Sequence, residues 1–176
     1  MLNARATRVH AANQKWWHDL TTGEPIDRNT DEMLMLVVSE LAEAMEGHRK
    51  SLMDDKLPHR RMAEVEVADA LIRLLDIAGA YEFDLEADYM ANPIPWGDNF
   101  AENLMKVVRV LAYDSVYHQD PEGLRRIVTS AIFALIALSE HEGFDLDGAF
   151  EEKMLFNTTR HDHTREGRLA PGGKQY

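Results

Sequence analysis

Apolar residues recur along this chain at steps of three and four, the period of α-helices that bury one face. Residues 2–20 read as a first helix carrying the adjacent Trp16 and Trp17, followed by a loop marked by Gly23, Pro25 and Asn29. Asp31 is placed to cap a long helix to about Arg49, on which Leu34, Val37, Val38, Leu41 and Met45 repeat at helical spacing. The polar stretch SLMDDKLPHRR, interrupted by Pro58, leads to a second long helix from about Arg61 to Tyr81. A short helix from Asp84 to about Asn92 precedes the breaker NPIPWGDN, where Pro93, Pro95 and Gly97 come together. Three more helices are predicted over 99–118, 121–142 and 146–158, and no alternating strand pattern competes. The tail after Arg160 is polar and glycine-containing, a segment expected to order against a ligand or partner. The expected fold is all-α, a helical bundle forming one domain over 1–176.

The second half of the chain repeats the first. LMLVVSELAEAMEGH (34–48) laid over LMKVVRVLAYDSVYH (104–118) matches at seven of fifteen positions, the final His48 and His118 among them. The following helix aligns at an offset of 61, which also brings Phe83-Asp84-Leu85 onto Phe144-Asp145-Leu146. Copy one then covers about 31–92, copy two about 99–158, and a polar tail 159–176.

What differs between the copies is charge. Glu40 and Glu43 lie three residues apart on one helix face. On the next helix Glu66, Asp69, Arg73 and Asp76 form a charged strip roughly 80° wide, while valines, leucines and isoleucines cover most of the rest. In copy two the corresponding residues are Val110 and Tyr113, then Ile127, Ser130, Ala134 and Ala137. Copy two reads as scaffold. Four carboxylates converging from two neighbouring helices raise one another's pKa values unless a cation compensates. Oxygen-only ligation suits a hard ion, Mg²⁺ or Mn²⁺, and Mg²⁺ commonly shares its shell with substrate phosphates.

Composition narrows the choice. With 31 acidic against 19 basic side chains the net charge is −12, which argues against nucleic-acid or anionic membrane partners. There is no cysteine, so thiolate metal sites and cysteine nucleophiles are excluded. No run of about 18 apolar residues occurs and the N-terminal stretch lacks a signal-peptide pattern, so a cytoplasmic location is expected.

Glu40-Leu-Ala-Glu43 followed by Glu66-Val-Ala-Asp69 resembles the E-x-x-E…E-x-x-D signature of the all-α nucleoside triphosphate pyrophosphohydrolases, the superfamily of MazG, the dimeric dUTPases, dCTP pyrophosphatase and phosphoribosyl-ATP pyrophosphohydrolase. Asn13-Gln14-Lys15-Trp16-Trp17, Arg28-Asn29, the MDDKLPHR loop, EKMLFNTTRHDH and GGKQY look MazG-like as well. The resemblance implies that Glu40, Glu43, Glu66 and Asp69 hold Mg²⁺ and carry catalysis. Water then attacks the α-phosphorus of a (deoxy)nucleoside triphosphate, giving monophosphate and pyrophosphate for nucleotide-pool sanitation or control. One glutamate accepts the water's proton. Lys153 and Asn157 match the family's K-x-x-x-N and, with Arg160, are candidate phosphate contacts. Lys56, His59 and Arg60 are weaker ones. Asn13 and one of Trp16 or Trp17 are candidates for the base, since adjacent tryptophans on a helix cannot face one way. In copy one the K-x-x-x-N position reads Tyr89-Met-Ala-Asn92, without lysine, so against the family pattern one metal centre per chain is expected, and a homodimer, with a monomer as the alternative, in place of the family's tetramer.

Other classes predict different features. A non-catalytic helical interaction module would leave the acidic strip merely solvated. A ferritin-like di-iron protein would need paired Glu-x-x-His motifs, which neither carboxylate helix has. An HD-type phosphohydrolase could use His161-Asp162 but lacks a second histidine and aspartate in helical context.

Overall fold

A computed structural model describes residues 1–87, 94–112 and 120–174. Seven α-helices account for most of them: α1 Leu2–Asn13, α2 Thr30–Arg49, α3 Met62–Ala80, α4 Phe100–Leu111, α5 Pro121–Glu142, α6 Leu146–Thr159 and α7 Arg165–Leu169. Short 3₁₀ turns lie at Gln14–Trp16 and His161–His163. Among the described residues there is no strand, only isolated bridges joining His18 to Pro25 and Met53 to Arg61. No single helix among them is long and apolar enough to cross a membrane. The fold is an all-α bundle.

Local chemistry explains where the helices begin and end. The Asn29 side chain, not Asp31, caps α2 by accepting the Glu32 N–H at 3.0 Å, and Asp31 and Glu32 sit in the first turn where acids suit the helix dipole. Asp120 caps α5 ahead of Pro121, and Gly143 ends it with φ +68°, a left-handed conformation that glycine adopts without strain. Helix α1 stops at Asn13, seven residues short of the expected end, and the chain tightens into a 3₁₀ turn through Trp16. The helix expected over 84–92 begins as turn at 85–87; its second half with the Tyr89–Asn92 segment, the end of the 99–118 helix with Tyr113 and His118, and the last two residues of GGKQY lie outside the described residues.

The core is built around α3, which buries residues on nearly its whole circumference against α1, α2, α5 and α6. Leu71, Leu74, Leu75, Val65 and Val67 are essentially inaccessible, each stabilising the fold by roughly 1.5–3 kcal/mol relative to exposure. Gly47 at the end of α2 abuts Met62 at the start of α3, so these two helices run antiparallel. Gly79 lets α1 approach closely, since a Cβ there would lie 2.4 Å from the Ala6 carbonyl oxygen. In the second pair, α4 packs on α5 and on α2, and α5 packs on α3. Ile127 and Ala134, aligned with Glu66 and Arg73, are buried there.

Two clasps fix what surrounds the charged strip. Arg60 binds Glu64 (2.9 Å), Glu152 (2.8 Å) and Asp145 (3.1 Å), tying the α2–α3 loop to α3 and α6. The Arg60 guanidinium holds the Glu152 carboxyl down at about 2. The tail forms the second clasp. It turns at His161–His163, forms α7 and returns to the N-terminal segment of its own chain. Arg165 donates to the carbonyls of Leu20 and Thr21, and Arg168 donates to that of Lys15. The Arg168 guanidinium lies 4.2 Å from the centroid of the Trp16 ring. The segment expected to wait for a ligand is thus ordered by the chain itself.

Candidate metal and phosphate cleft

The charged strip of α3 and the Glu40–Glu43 face of α2 open into one cleft of about 410 Å³, walled by the 3₁₀ turn after α1, the α2–α3 loop, α6 and the tail. The ten foremost candidates from the sequence all line it: Glu40, Glu43, Glu66, Asp69, Lys153, Asn157, Arg160, Asn13, Trp16 and Trp17.

At one end the carboxylates gather. Single oxygens of Glu40, Glu43 and Glu66 all lie within 4.8 Å of one another, with Glu40 and Glu66 buried and Glu43 exposed. Asp69 stands apart from this triad, paired through Oδ2 with Lys153 Nζ at 2.7 Å. Arg73 sets Nε and Nη2 each 2.5 Å from Glu40 Oε1. Burial, reinforced by Asp69, pushes the Glu66 carboxyl up to about 9. Burial likewise lifts Asp69 to about 6 against the pull of Lys153, and Glu43 is raised by burial and by Glu40. Burial works against the charge on Lys153, and the carboxylates of Asp69, Glu66 and Asp54 together offset it, leaving the ammonium pKa raised. Burial is the main cause of the raised carboxyl values and the neighbouring carboxylates add to it. Three convergent carboxylates with no sulfur or imidazole among them fit a hard divalent cation such as Mg²⁺.

At the other end the cleft is aromatic. Asp76 lies seven residues beyond Asp69 on α3, about 10 Å along the helix. It is buried and accepts from Trp17 Nε1 (3.2 Å to each oxygen), with His10 Nδ1 at 3.0 Å. Burial raises its pKa, and the His10 and Trp17 contacts oppose that rise. Trp17 is thereby held edge-on to His10 and Tyr81, with the Arg28 guanidinium over its ring at 5.4 Å. Although α1 has already ended and both tryptophans line the cleft, they play different parts. Trp16 is the more buried, pinned between Arg168 and the edge of His163. Arg28 Nη2 and Asn157 Oδ1 are buried without hydrogen-bond partners among the described residues, a condition that costs about 1–3 kcal/mol per group.

The cations of α6 and the tail line the same cleft. Arg160 binds Asp162 through Nε and Nη2 (2.9 and 2.6 Å), and Lys174 reaches the same carboxylate at 3.1 Å. Of the weaker loop candidates, Lys56 lines the cleft, whereas His59 and Arg60 bind Glu152. His163, which carried no role in the sequence, faces the cleft, and burial with Arg160 nearby takes its pKa down to about 4, so it is neutral at ordinary pH. Asp76 was visible on the α3 strip but carried no assigned role, and Arg28 was visible only as a motif residue. Lys174 lies in the GGKQY segment, where spacing alone could not bring it to the site. Compared with protein-family models, with curated proteins and with solved structures, the chain matches none.

Proposed function

We propose that this protein is a Mg²⁺-dependent nucleoside triphosphate pyrophosphohydrolase of the MazG-like kind, with Mn²⁺ as an alternative metal, cleaving (deoxy)nucleoside triphosphates to monophosphate and pyrophosphate. The observation that carries the reading is a single cleft lined by three carboxylates converging within 4.8 Å, by Lys153, Asn157 and Arg160, and by Trp17 and Asn13. A metal-bound polyphosphate with a nucleoside attached calls for those three kinds of contact. Glu40, Glu43 and Glu66 would hold the metal, which when bound supplies positive charge to the phosphates and acidifies water.

The chain's own groups do the rest. Arg160 is oriented by Asp162 through Nε and Nη2, and its Nη1, which makes no hydrogen bond among the described residues, would donate to phosphate oxygens. Lys153 and the Asn157 amide meet the phosphates beside it. Trp17, fixed by Asp76, offers a packing surface to the base, and Asn13 hydrogen-bonds it. Glu43 carries no ion pair among the described residues and has its pKa raised by burial and by Glu40, so its carboxylate oxygen takes the proton of the attacking water. The new bond forms from water oxygen to the α-phosphorus, and the bond to the bridging oxygen breaks as pyrophosphate leaves. The homodimer and cytoplasmic role in nucleotide-pool sanitation or control belong to the same reading.

The test is product identity. The protein is incubated with Mg²⁺ or Mn²⁺ and a panel of canonical and modified (d)NTPs, and the products are separated. Monophosphate plus pyrophosphate, absent in Glu66→Gln, supports the reading. No turnover of any nucleotide with either metal refutes it and favours the interaction module.

A further inference from the structure

The carboxylate cluster carries two cations of the chain's own, and they are not equivalent. Lys153 reaches across from α6 to Asp69, which stands outside the triad, and its side chain is only 5% exposed. Arg73 comes from α3 itself, is 36% exposed at its side chain and lines the cleft. It places two donors on one oxygen, Glu40 Oε1, and Glu40 is a member of the triad. The carboxylate that a divalent ion needs is therefore the one that a guanidinium already covers. A +1 and a +2 charge in contact with the same carboxylate repel strongly wherever water is scarce. Packing does not demand arginine at this position, because the aligned helix α5 has Ala134 there. Lys153 can stay where it is when a metal binds, whereas Arg73 is long, partly exposed and free to swing into the cleft.

We infer that Arg73 is a displaceable counter-ion: it neutralises Glu40 in the absence of metal, and a divalent cation must evict it from Glu40 Oε1, so Arg73 holds metal affinity down. This rests on the reading of Glu40, Glu43 and Glu66 as a metal site given above. The device spares the fold the full repulsion of the cluster when metal is scarce, and it releases a cation into the cleft when metal arrives.

The probe is Mn²⁺ alone, without nucleotide, titrated into the full chain while free Mn²⁺ is followed by electron paramagnetic resonance. Arg73→Met, similar in length and uncharged, binds Mn²⁺ roughly tenfold more tightly than the parent protein. Arg73→Lys, with one shorter donor group, shows a smaller gain in the same direction. Circular dichroism reports whether each variant is folded, and should Arg73→Met fail to fold without metal, Arg73→Lys carries the affinity test. A second readout concerns the parent protein. Its Arg73 Nε–H resonance, identified by its loss in the variants, is protected from solvent exchange without metal and loses that protection on adding Mg²⁺. Mn²⁺ affinity unchanged or weakened in the folded variants, or an Nε–H still protected at saturating Mg²⁺, overturns this inference and leaves the proposed reaction standing. Absence of Mn²⁺ binding in the parent and in every variant overturns the metal reading, and this inference with it.

Discussion

Glu66→Gln tests the electrostatics of the cleft without any assumption about substrate. Glu66 is 6% exposed and faces Glu40, Glu43 and Asp69, while the nearest cations are engaged by Glu40 and Asp69. Its carboxyl is pushed from an ordinary 4.5 up to about 9, burial being the larger cause and Asp69 the next. The folded chain therefore binds this proton more tightly than the unfolded chain. Between those two pH values the folded state carries the extra proton, so the contribution of this group is full below about pH 4.5 and is lost as pH rises towards 9. Each pH unit removes up to about 1.4 kcal/mol, which makes the cost on the order of 4 kcal/mol by pH 8. Glutamine has the same shape and no charge, so the variant escapes that cost. Urea unfolding in EDTA should show the parent protein losing stability from pH 5.5 to 8.5, and the variant gaining about 2–4 kcal/mol on it at pH 8. The difference should shrink towards pH 5. Saturating Mg²⁺ should narrow the gap at pH 8, because it stabilises the parent more. A parent profile that is flat or rises with pH, or a variant less stable than the parent at pH 8, would refute the reasoning.

Gly79→Ala forces a methyl group against the Ala6 carbonyl, so α1 must shift and urea unfolding should register a loss of about 1–3 kcal/mol. Arg168→Ala removes the stack on Trp16 and the bond to the Lys15 carbonyl. Limited trypsin digestion should then cut after Arg160 or Arg165 several-fold faster, with global stability lowered by no more than about 2 kcal/mol. Asp76→Asn leaves Trp17 with one acceptor instead of a carboxylate, and on the proposed function the nucleotide KM should rise roughly tenfold while kcat changes less. An unchanged KM would disconnect Trp17 from the substrate.

The bundle and the acidic centre were legible because both depend on spacing within one helix. Leu34, Val37 and Leu41 face the core as their period requires, and α5 spans 121–142 as expected because Asp120, Pro121 and Gly143 mark its ends chemically. The Glu40–Glu43 and Glu66–Asp69 pairs were readable from period alone, since residues three apart on a helix share a face. The aromatic wall was less so. The chain from Asn13 to Trp17 carries no glycine or proline to announce the end of α1. What ends it is Trp17 reaching Asp76 on α3, together with Trp16 packing under Arg168 from a segment about 150 residues away.

By itself the sequence determined the helices, their buried faces and the concentration of carboxylates on one helix pair, because each follows from residues within a few turns of one another. The tertiary structure decided how those charges are shared. Nothing in spacing says that Lys153 pairs with Asp69, that Arg73 takes Glu40, or that Asp162 holds Arg160 and Lys174 together. Nor could spacing order the tail, whose anchors are backbone carbonyls of the first 21 residues. Ion pairs and backbone contacts of that kind are set by where separate helices come to rest, and the close packing of α3 against its neighbours is what fixes those positions.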